Sequence, residues 1–159
     1  MRLRIIIIVT ILLCLLIVMC AAISSNITTI SGFSMEPTLS DGDRVYVVKP
    51  VNLCRNDVVI LTAGDQRIIK RIVAIPGDTI QIRNGHVYVN GNIADELCTE
   101  FGGIAYEPLT LGEGEYFVLG DNREQSKDSR YRDIGVVYKS QIVYKAWILK
   151  SVIQPTIGR

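Results

Sequence analysis

The hydrophobic pattern divides the chain into one unbroken apolar stretch near its start and a longer part with short apolar runs between turns. Residues 5–23 are nineteen consecutive residues without a charge, and Met1-Arg2-Leu3-Arg4 precedes them. A helix of that length spans about 28 Å, which is close to the hydrocarbon thickness of a bilayer. The pattern therefore predicts one transmembrane helix over residues 5–23.

The flanking charges predict how this helix is oriented. Arg2 and Arg4 favour the cytoplasmic side, so residues 1–4 are expected in the cytoplasm. Residues 24–159 then form an extracytoplasmic domain at the cell membrane. A cleaved signal peptide is the alternative, but its apolar core is usually about 7–15 residues long, shorter than this run. An uncleaved, single-pass anchor is the favoured interpretation.

Beyond the apolar stretch the pattern is that of β-strands. Short runs rich in β-branched and aromatic residues are bounded by Gly, Asn, Asp and Pro, and Asn84-Gly85 is typical of a hairpin turn. Residues 92–114 have the composition of a loop. The fold class predicted is mainly β, an antiparallel barrel or folded sheet that follows one N-terminal transmembrane helix. Strands are expected at residues 44–48, 57–61, 68–75, 80–82, 86–89, 115–119, 134–137 and 142–149.

Charge and composition argue against several function classes. The formal net charge is +1, which offers no basic face for nucleic acid. The chain has a single histidine and no C-x-x-C motif, so no metal site is expected. Cys54 and Cys98 either form a disulfide or remain free thiols, and free thiols are the commoner outcome for two separated cysteines.

Candidate chemistry starts at Ser34, eleven residues after the apolar run. A nucleophilic serine needs a base. His86 adjoins a hairpin turn and is better explained as a solvated turn residue. Lys70 lies in an apolar strand, and if it points inward, burial lowers the pKa of its amine towards neutrality. A lysine in such a strand is also often an edge residue that reaches solvent, so this evidence alone leaves both interpretations open.

Two further features surround this pair. Arg71 lies on the opposite face of the strand from Lys70 and suits a structural ion pair. Residues 120–130 carry several hydroxyl, amide and charged side chains directly after an apolar strand, a common place for site residues.

Taken in order, these segments resemble the conserved boxes of type I signal peptidases. The resemblance covers the predicted anchor and most of residues 30–140. It rests on Ser34-Met35 with Pro37-Thr38-Leu39, Gly42-Asp43, Lys70-Arg71 with Pro76-Gly77-Asp78, and Gly120-Asp121-Asn122-Arg123 with Ser126, Asp128, Ser129 and Arg130.

The resemblance implies a membrane-bound serine endopeptidase that needs no cofactor. Such enzymes remove signal peptides from exported preproteins after small-x-small sites, typically Ala-x-Ala, through an acyl-enzyme. By this resemblance Ser34 is the nucleophile, Lys70 is the general base, and Ser126 hydrogen-bonds the lysine amine. The site would be held together by ion pairs among Asp121, Asp128, Arg71 and Arg130.

One position departs from part of the family. Some members carry a serine two residues before the nucleophile as a second oxyanion donor, and this chain has Gly32 there. The oxyanion hole would then use the Ser34 backbone N–H and a second donor that the sequence does not identify. The glycine, the single predicted anchor and the short chain resemble the compact Gram-positive branch of the family.

Three alternatives are weighed against this interpretation. A self-cleaving repressor-type protease shares the Ser-Lys pair but is soluble and binds DNA, which disagrees with the apolar run and the near-neutral charge. A specialised relative that processes one dedicated substrate is not separated from a general enzyme by the sequence. A non-catalytic, membrane-anchored β-domain would leave Ser34, Lys70 and Ser126 with no reason to converge.

Overall fold

The computed structural model describes residues 2–24, 26–95, 103–105 and 107–148. In this part of the chain a helix is followed by strands and two short 3-10 helices. The helix α1 is Arg2–Ser24 and the 3-10 helices are Gly103–Ala105 and Lys139–Gln141. The strands are β1 Ile27–Thr29, β2 Arg44–Val48, β3 Val58–Ala63, β4 Gln66–Ala74, β5 Thr79–Arg83, β6 His86–Val89, β7 Asn92–Asp95, β8 Leu109–Thr110, β9 Glu115–Leu119, β10 Val137–Tyr138 and β11 Ile142–Trp147.

The strands form two antiparallel sheets. The larger sheet has the order β1-β2-β11-β3-β4-β9-β10, and the smaller one has the order β7-β6-β5-β8. Every pairing described between neighbouring strands is antiparallel. The predicted class, a mainly β fold of antiparallel folded sheets, is confirmed.

The helical conformation predicted for residues 5–23 is present within α1. The apolar side chains described between Ile5 and Met19 are exposed, many of them by more than half of their surface. Counting only the described residues, no helix is both long enough and apolar enough to cross a membrane. Insertion of this segment into a bilayer stays a prediction.

Strand β4 organises the core because its side chains reach three different apolar clusters. Ile69 packs with the turn that carries Met35 and Leu39, while Ile72 packs with residues of β3 and β9. Ala74 joins the cluster beneath the smaller sheet. The same strand therefore joins the Ser34 turn, the centre of the large sheet and the second sheet.

The predicted strands at residues 44–48, 86–89 and 115–119 have the expected bounds. The loop assignment of residues 92–114 was wrong in part, because β7 and β8 lie there. Strand β7 extends the hairpin after Asn90-Gly91, where both residues have positive φ angles of 54° and 77°. Strand β8 has two residues, too few to produce a periodic pattern, and it exists by pairing with β5.

The strand predicted over residues 134–137 was also wrong in extent. Ile134 and Gly135 end a turn, with both of their backbone N–H groups donating to Tyr131 O. Gly135 has a φ of 58°, which interrupts an extended conformation, and β10 begins at Val137. Residue 149 of the last predicted strand lies outside the described residues.

Candidate active site

Ser34 lies in a turn between β1 and β2 that the core holds in place from both sides. Ile30 N donates to Asp43 O at 2.8 Å and closes the base of the turn. Met35 and Leu39 are 1% and 2% exposed and pack into the cluster that also contains Ile69. Because its neighbour Met35 is buried, the half-buried Ser34 is held against β4.

Lys70 approaches Ser34 from β4. It pairs across the sheet with Val59, and only 3% of its surface is exposed. Lys70 Nζ lies 2.8 Å from Ser34 Oγ and donates to Ile69 O, also at 2.8 Å. The two residues are brought together as the sequence predicts, and Lys70 points inward rather than to solvent.

Burial lowers the pKa of the Lys70 amine from 10.5 to about 8. Asp128 opposes this by raising the pKa, Arg130 adds to the decrease, and Asp121 raises it again. Desolvation is the largest of these influences, because an ammonium loses its hydration when the side chain is buried. A substantial fraction of the amine is therefore neutral at slightly alkaline pH.

A buried ion pair gives the loop 120–130 its shape. Arg130 and Asp128 are 2% and 0% exposed at their side chains, with Arg130 Nε donating to Asp128 Oδ1 at 2.8 Å and Nη2 to Oδ2 at 3.0 Å. Arg130 Nη2 also donates to the carbonyl oxygens of Arg123 and Ser126, and Asp128 Oδ2 accepts from Gly120 N at 3.0 Å. The pair thus fixes the loop backbone from inside.

This loop is attached directly to Ser34. Asn122 N donates to Ser34 O at 3.0 Å. A Cβ atom on Gly120 would lie 2.5 Å from Ser34 O and 2.2 Å from Ser126 Oγ. Gly120 is required by this close approach of three segments, since any side chain would displace either Ser34 or Ser126.

Ser126 is buried at this junction, but the hydrogen bond expected from it to Lys70 is not present. Its hydroxyl has no hydrogen-bond partner among the described residues. The lysine amine instead contacts Ser34 Oγ and Ile69 O. The expected Ser126–Lys70 contact is therefore not formed in this structure, and Ser126 lies beside Gly120 and Ser34 O.

A second ion pair supports the opposite face of β4. Arg71 Nε donates to Asp121 Oδ1 at 2.7 Å, and its Nη groups donate to Thr38 Oγ1 and to Asn56 O. Burial would raise the pKa of Asp121, but the hydrogen bonds from Arg71 and Thr38 outweigh it and lower that pKa. Arg71 therefore joins the Ser34 turn to the 120–130 loop.

Gly32 has a φ of 94°, in the left-handed region that favours glycine. Its N–H donates to Asp41 Oδ1 at 2.8 Å, which holds this backbone conformation. A serine at this position would be strained, so the structure accounts for the absence of a side-chain donor there.

A cleft of about 400 Å³ leads away from Ser34 and Lys70, and the sequence analysis did not identify it. Its walls come from β1 and the residues that lead to Ser34, from the first half of β4, and from one residue each of β2, β3 and β11. Separate strands build the cleft. The sequence predicts the apolar character of each strand but not which strands meet. The apolar walls are Ile30, Val47, Ile60, Ile68, Ile69 and Tyr144, and the polar lining includes Thr28, Thr29, Ser31, Gln66 and Arg67.

Other residues singled out in the sequence lie apart from this cleft. His86 is in β6 of the smaller sheet and does not line it. Cys54 is an exposed free thiol, and Cys98 lies outside the described residues. Within the described part of the chain, no three His, Cys, Asp or Glu residues are grouped so as to hold a metal ion.

Comparison with known proteins identifies the family. Residues 2–149 match the family model described as signal peptidase, peptidase S26. The chain belongs to this family. The match extends through the Ser34 turn, Lys70 and the whole 120–130 loop, and the family predicted from the ordered motifs is confirmed.

Individual signal peptidases are similar over most of the chain. Signal peptidase I of Bacillus licheniformis is 34% identical over an alignment of 135 residues that covers 71% of this chain and 69% of that protein. Signal peptidase IB of Staphylococcus aureus is 36% identical over an alignment of 141 residues that covers 74% of this chain and 73% of its own. A crystal structure of a signal peptidase I from Enterococcus faecalis is 30% identical and covers 58% of this chain and 94% of its own, with a TM-score of 0.46.

Proposed function

We propose that this member of the signal peptidase family is a membrane-bound serine endopeptidase that uses a Ser34–Lys70 dyad. Its substrates are exported preproteins, cut after small-x-small sites. The observation that carries the proposal is the buried Lys70 amine 2.8 Å from Ser34 Oγ, at the end of an apolar cleft. That distance is within hydrogen-bond reach, as a general base requires.

The chemical steps follow from this geometry. The neutral Lys70 amine accepts the Ser34 hydroxyl proton as the oxygen attacks the scissile carbonyl and forms a tetrahedral intermediate. The resulting ammonium gives this proton to the amine of the mature protein as the peptide C–N bond breaks, which leaves an ester between Ser34 and the signal peptide. In the second half, Lys70 accepts a proton from water as the water oxygen attacks the ester, and it returns that proton to Ser34 Oγ as the ester C–O bond breaks.

The developing oxyanion needs hydrogen-bond donors. The backbone N–H of Ser34 donates to no group among the described residues, which makes it available to the substrate carbonyl oxygen. A donor of this kind typically contributes about 10²–10³-fold to turnover. We assign the Ser34 N–H as one donor and leave the second unassigned, because Gly32 has no side chain.

The substrate is proposed to bind as an added strand on the free half of β4. Residues Gln66–Arg71 pair with β3, but only Arg71, Ile72 and Ala74 pair with β9. The segment before Arg71 therefore has one edge without a strand partner among the described residues, and this segment lines the cleft. An extended peptide can complete such an edge by main-chain hydrogen bonds, while pockets select its side chains.

The supporting residues are proposed to position the dyad rather than react. The Asp128–Arg130 pair holds the loop that touches Ser34 O, and the Arg71–Asp121 pair joins that loop to the nucleophile turn. Ser126 packs at the junction and lies within reach of the same segments. Its unpartnered hydroxyl is free to hydrogen-bond the lysine amine once the amine releases Ser34 Oγ.

Helix α1 is proposed to be the membrane anchor, with residues 1–4 cytoplasmic and the β-rich domain extracytoplasmic. Support comes from the nineteen uncharged residues at 5–23, the preceding arginines and the exposed apolar side chains of the helix. An anchor at this position would keep Ser34 near the membrane surface, where signal peptides emerge.

The test is cleavage of an Ala-x-Ala preprotein in detergent by the full chain and by Ser34→Ala and Lys70→Ala. Each variant should lose at least about 10³-fold in kcat/KM, because nucleophile and base act as one unit. Matched controls are Ser40→Ala and Lys49→Ala, which change exposed residues of the same types. Turnover that survives Lys70→Ala would overturn the dyad.

If the unmodified protein leaves several preproteins intact, the general activity is wrong, and a dedicated substrate or a non-catalytic role takes its place. An active-site acylating reagent separates these outcomes. It labels Ser34 in a specialised peptidase and leaves a binding domain unlabelled.

A further inference from the structure

The cleft that we assign to the substrate carries one permanent charge. Its lining contains no aspartate or glutamate, and its two basic residues are Lys70 and Arg67. Lys70 must be neutral to act as a base, whereas an arginine remains charged at any working pH. Arg67 therefore sets the electrostatic character of the cleft.

Arg67 also differs from three other arginines of the domain. Arg55, Arg71 and Arg130 each form an ion pair with an aspartate. Arg67 is exposed and forms no ion pair with any described residue, including Asp65 in the adjacent turn. Arg67 lines the cleft, and no ion pair with a described residue occupies its guanidinium, which carries five N–H donors.

The position of Arg67 along β4 determines which part of a substrate it meets. Ile69 O accepts from the Lys70 amine at the reactive end, so the Ile69 backbone faces the cleft. The direction of the backbone N–H and C=O groups alternates along a strand. The backbone of Arg67, two residues before Ile69, therefore faces the same edge of β4. Arg67 is three residues from Lys70, or about 10 Å at the rise of an extended strand.

A substrate that binds as an extended strand advances by the same distance per residue as β4. The apolar walls of the cleft suit the small side chains before the cut, so the residues upstream of the scissile bond occupy it. With the residue before the cut opposite Lys70, the residue three positions further upstream lies opposite Arg67. This is the fourth residue before the scissile bond.

We propose that Arg67 is a specificity-determining residue, which favours preproteins with a carboxylate side chain four residues before the cut and disfavours a basic one there. The inference rests on the proposed peptidase function and names the substrate class of the same site. An exposed guanidinium–carboxylate pair is weak, so the expected preference is modest. We expect about a three- to tenfold difference in kcat/KM between acidic and basic substrates at low salt.

The experiment uses the full chain in a non-ionic detergent, so that lipid charge makes no contribution. Peptide substrates with one Ala-x-Ala site carry Glu, Gln or Lys at the fourth position before the cut. A second set carries the same residues two positions after the cut, outside the cleft. The enzymes are the natural protein, Arg67→Gln and Arg67→Glu, with Arg83→Gln as a matched control on the smaller sheet.

The natural protein and Arg83→Gln should cleave the substrates in the order Glu, Gln, Lys, and only for the upstream set. The order should disappear in Arg67→Gln, reverse in Arg67→Glu and weaken as salt is added. Equal cleavage of all three upstream peptides by the natural protein would overturn the role of Arg67 while leaving the peptidase function intact. The absence of any cleavage would instead reject the peptidase function.

Discussion

At the level of single residues, Lys70 illustrates how burial lowers the pKa of an ordinary side chain. Two aspartates nearby would keep the amine protonated, and Arg130 has the opposite effect. Loss of hydration outweighs the aspartates and brings the pKa to about 8. In the proposed mechanism, the inward direction of this one side chain allows its amine to accept the Ser34 proton.

This value predicts a specific pH dependence. The neutral amine is the active form, so kcat/KM should increase with pH, reach half of its maximum near pH 8 and level off above it. The profile should be measured between pH 6 and 10 with a peptide substrate that has no ionisable group near the cut. A profile that is flat from pH 6 to 10, or a half-maximum near 10.5, would show that burial does not control the base.

At the level of elements, the loop 120–130 is held by a buried ion pair rather than by regular secondary structure. Removing one partner of such a pair leaves the other charge buried and unpaired, at a typical cost of about 3–5 kcal/mol. The adjacent pair of Lys127 and Asp133 provides the contrast, since both side chains are more than half exposed.

We therefore expect Asp128→Asn to lower the free energy of unfolding by about 3 kcal/mol, because Arg130 loses its counter-charge. Asp133→Asn should leave the denaturation midpoint nearly unchanged. Chemical denaturation of both variants, followed by fluorescence, checks the prediction. Equal midpoints for the two variants would show that the buried pair does not hold the loop.

Elements made by neighbouring residues were predicted better than elements made by distant ones. Asn84-Gly85 specifies a hairpin turn through the positive φ angles that both residues accept, and β5 and β6 follow from it. Strand β8 depends on pairing with β5 about thirty residues away, as in Thr79 with Thr110. No local pattern records that pairing.

At the level of the whole molecule, the described side chains of α1 take no part in the apolar core of the β-rich domain. The described side chains of the helix from Arg4 to Met19 are exposed, and the three apolar clusters consist of residues after the helix. The domain should fold by itself, and the helix should serve attachment to a membrane.

A variant that lacks residues 2–24 should therefore lose only the helical contribution of α1 to the circular dichroism spectrum and keep its β-sheet signal and its thermal midpoint. It should no longer float with phosphatidylcholine–phosphatidylglycerol vesicles in a density gradient. The full chain, reconstituted in the same vesicles, is the control and should float. Unfolding of the truncated variant would show that α1 belongs to the core. Flotation of a folded truncated variant would assign membrane binding to the β-rich domain.

The sequence by itself determined the apolar run, most strands and the family, with Ser34 and Lys70 as the candidate dyad, because each is recorded in neighbouring residues or ordered motifs. Only the tertiary structure decided the burial of Lys70, the lining of the cleft and the position of Arg67 in it. The Ser34–Lys70 contact joins residues 36 positions apart, and the Arg71–Asp121 pair joins residues 50 apart. Such contacts depend on how strands pack, and the side-chain alternation within one strand cannot specify its partner.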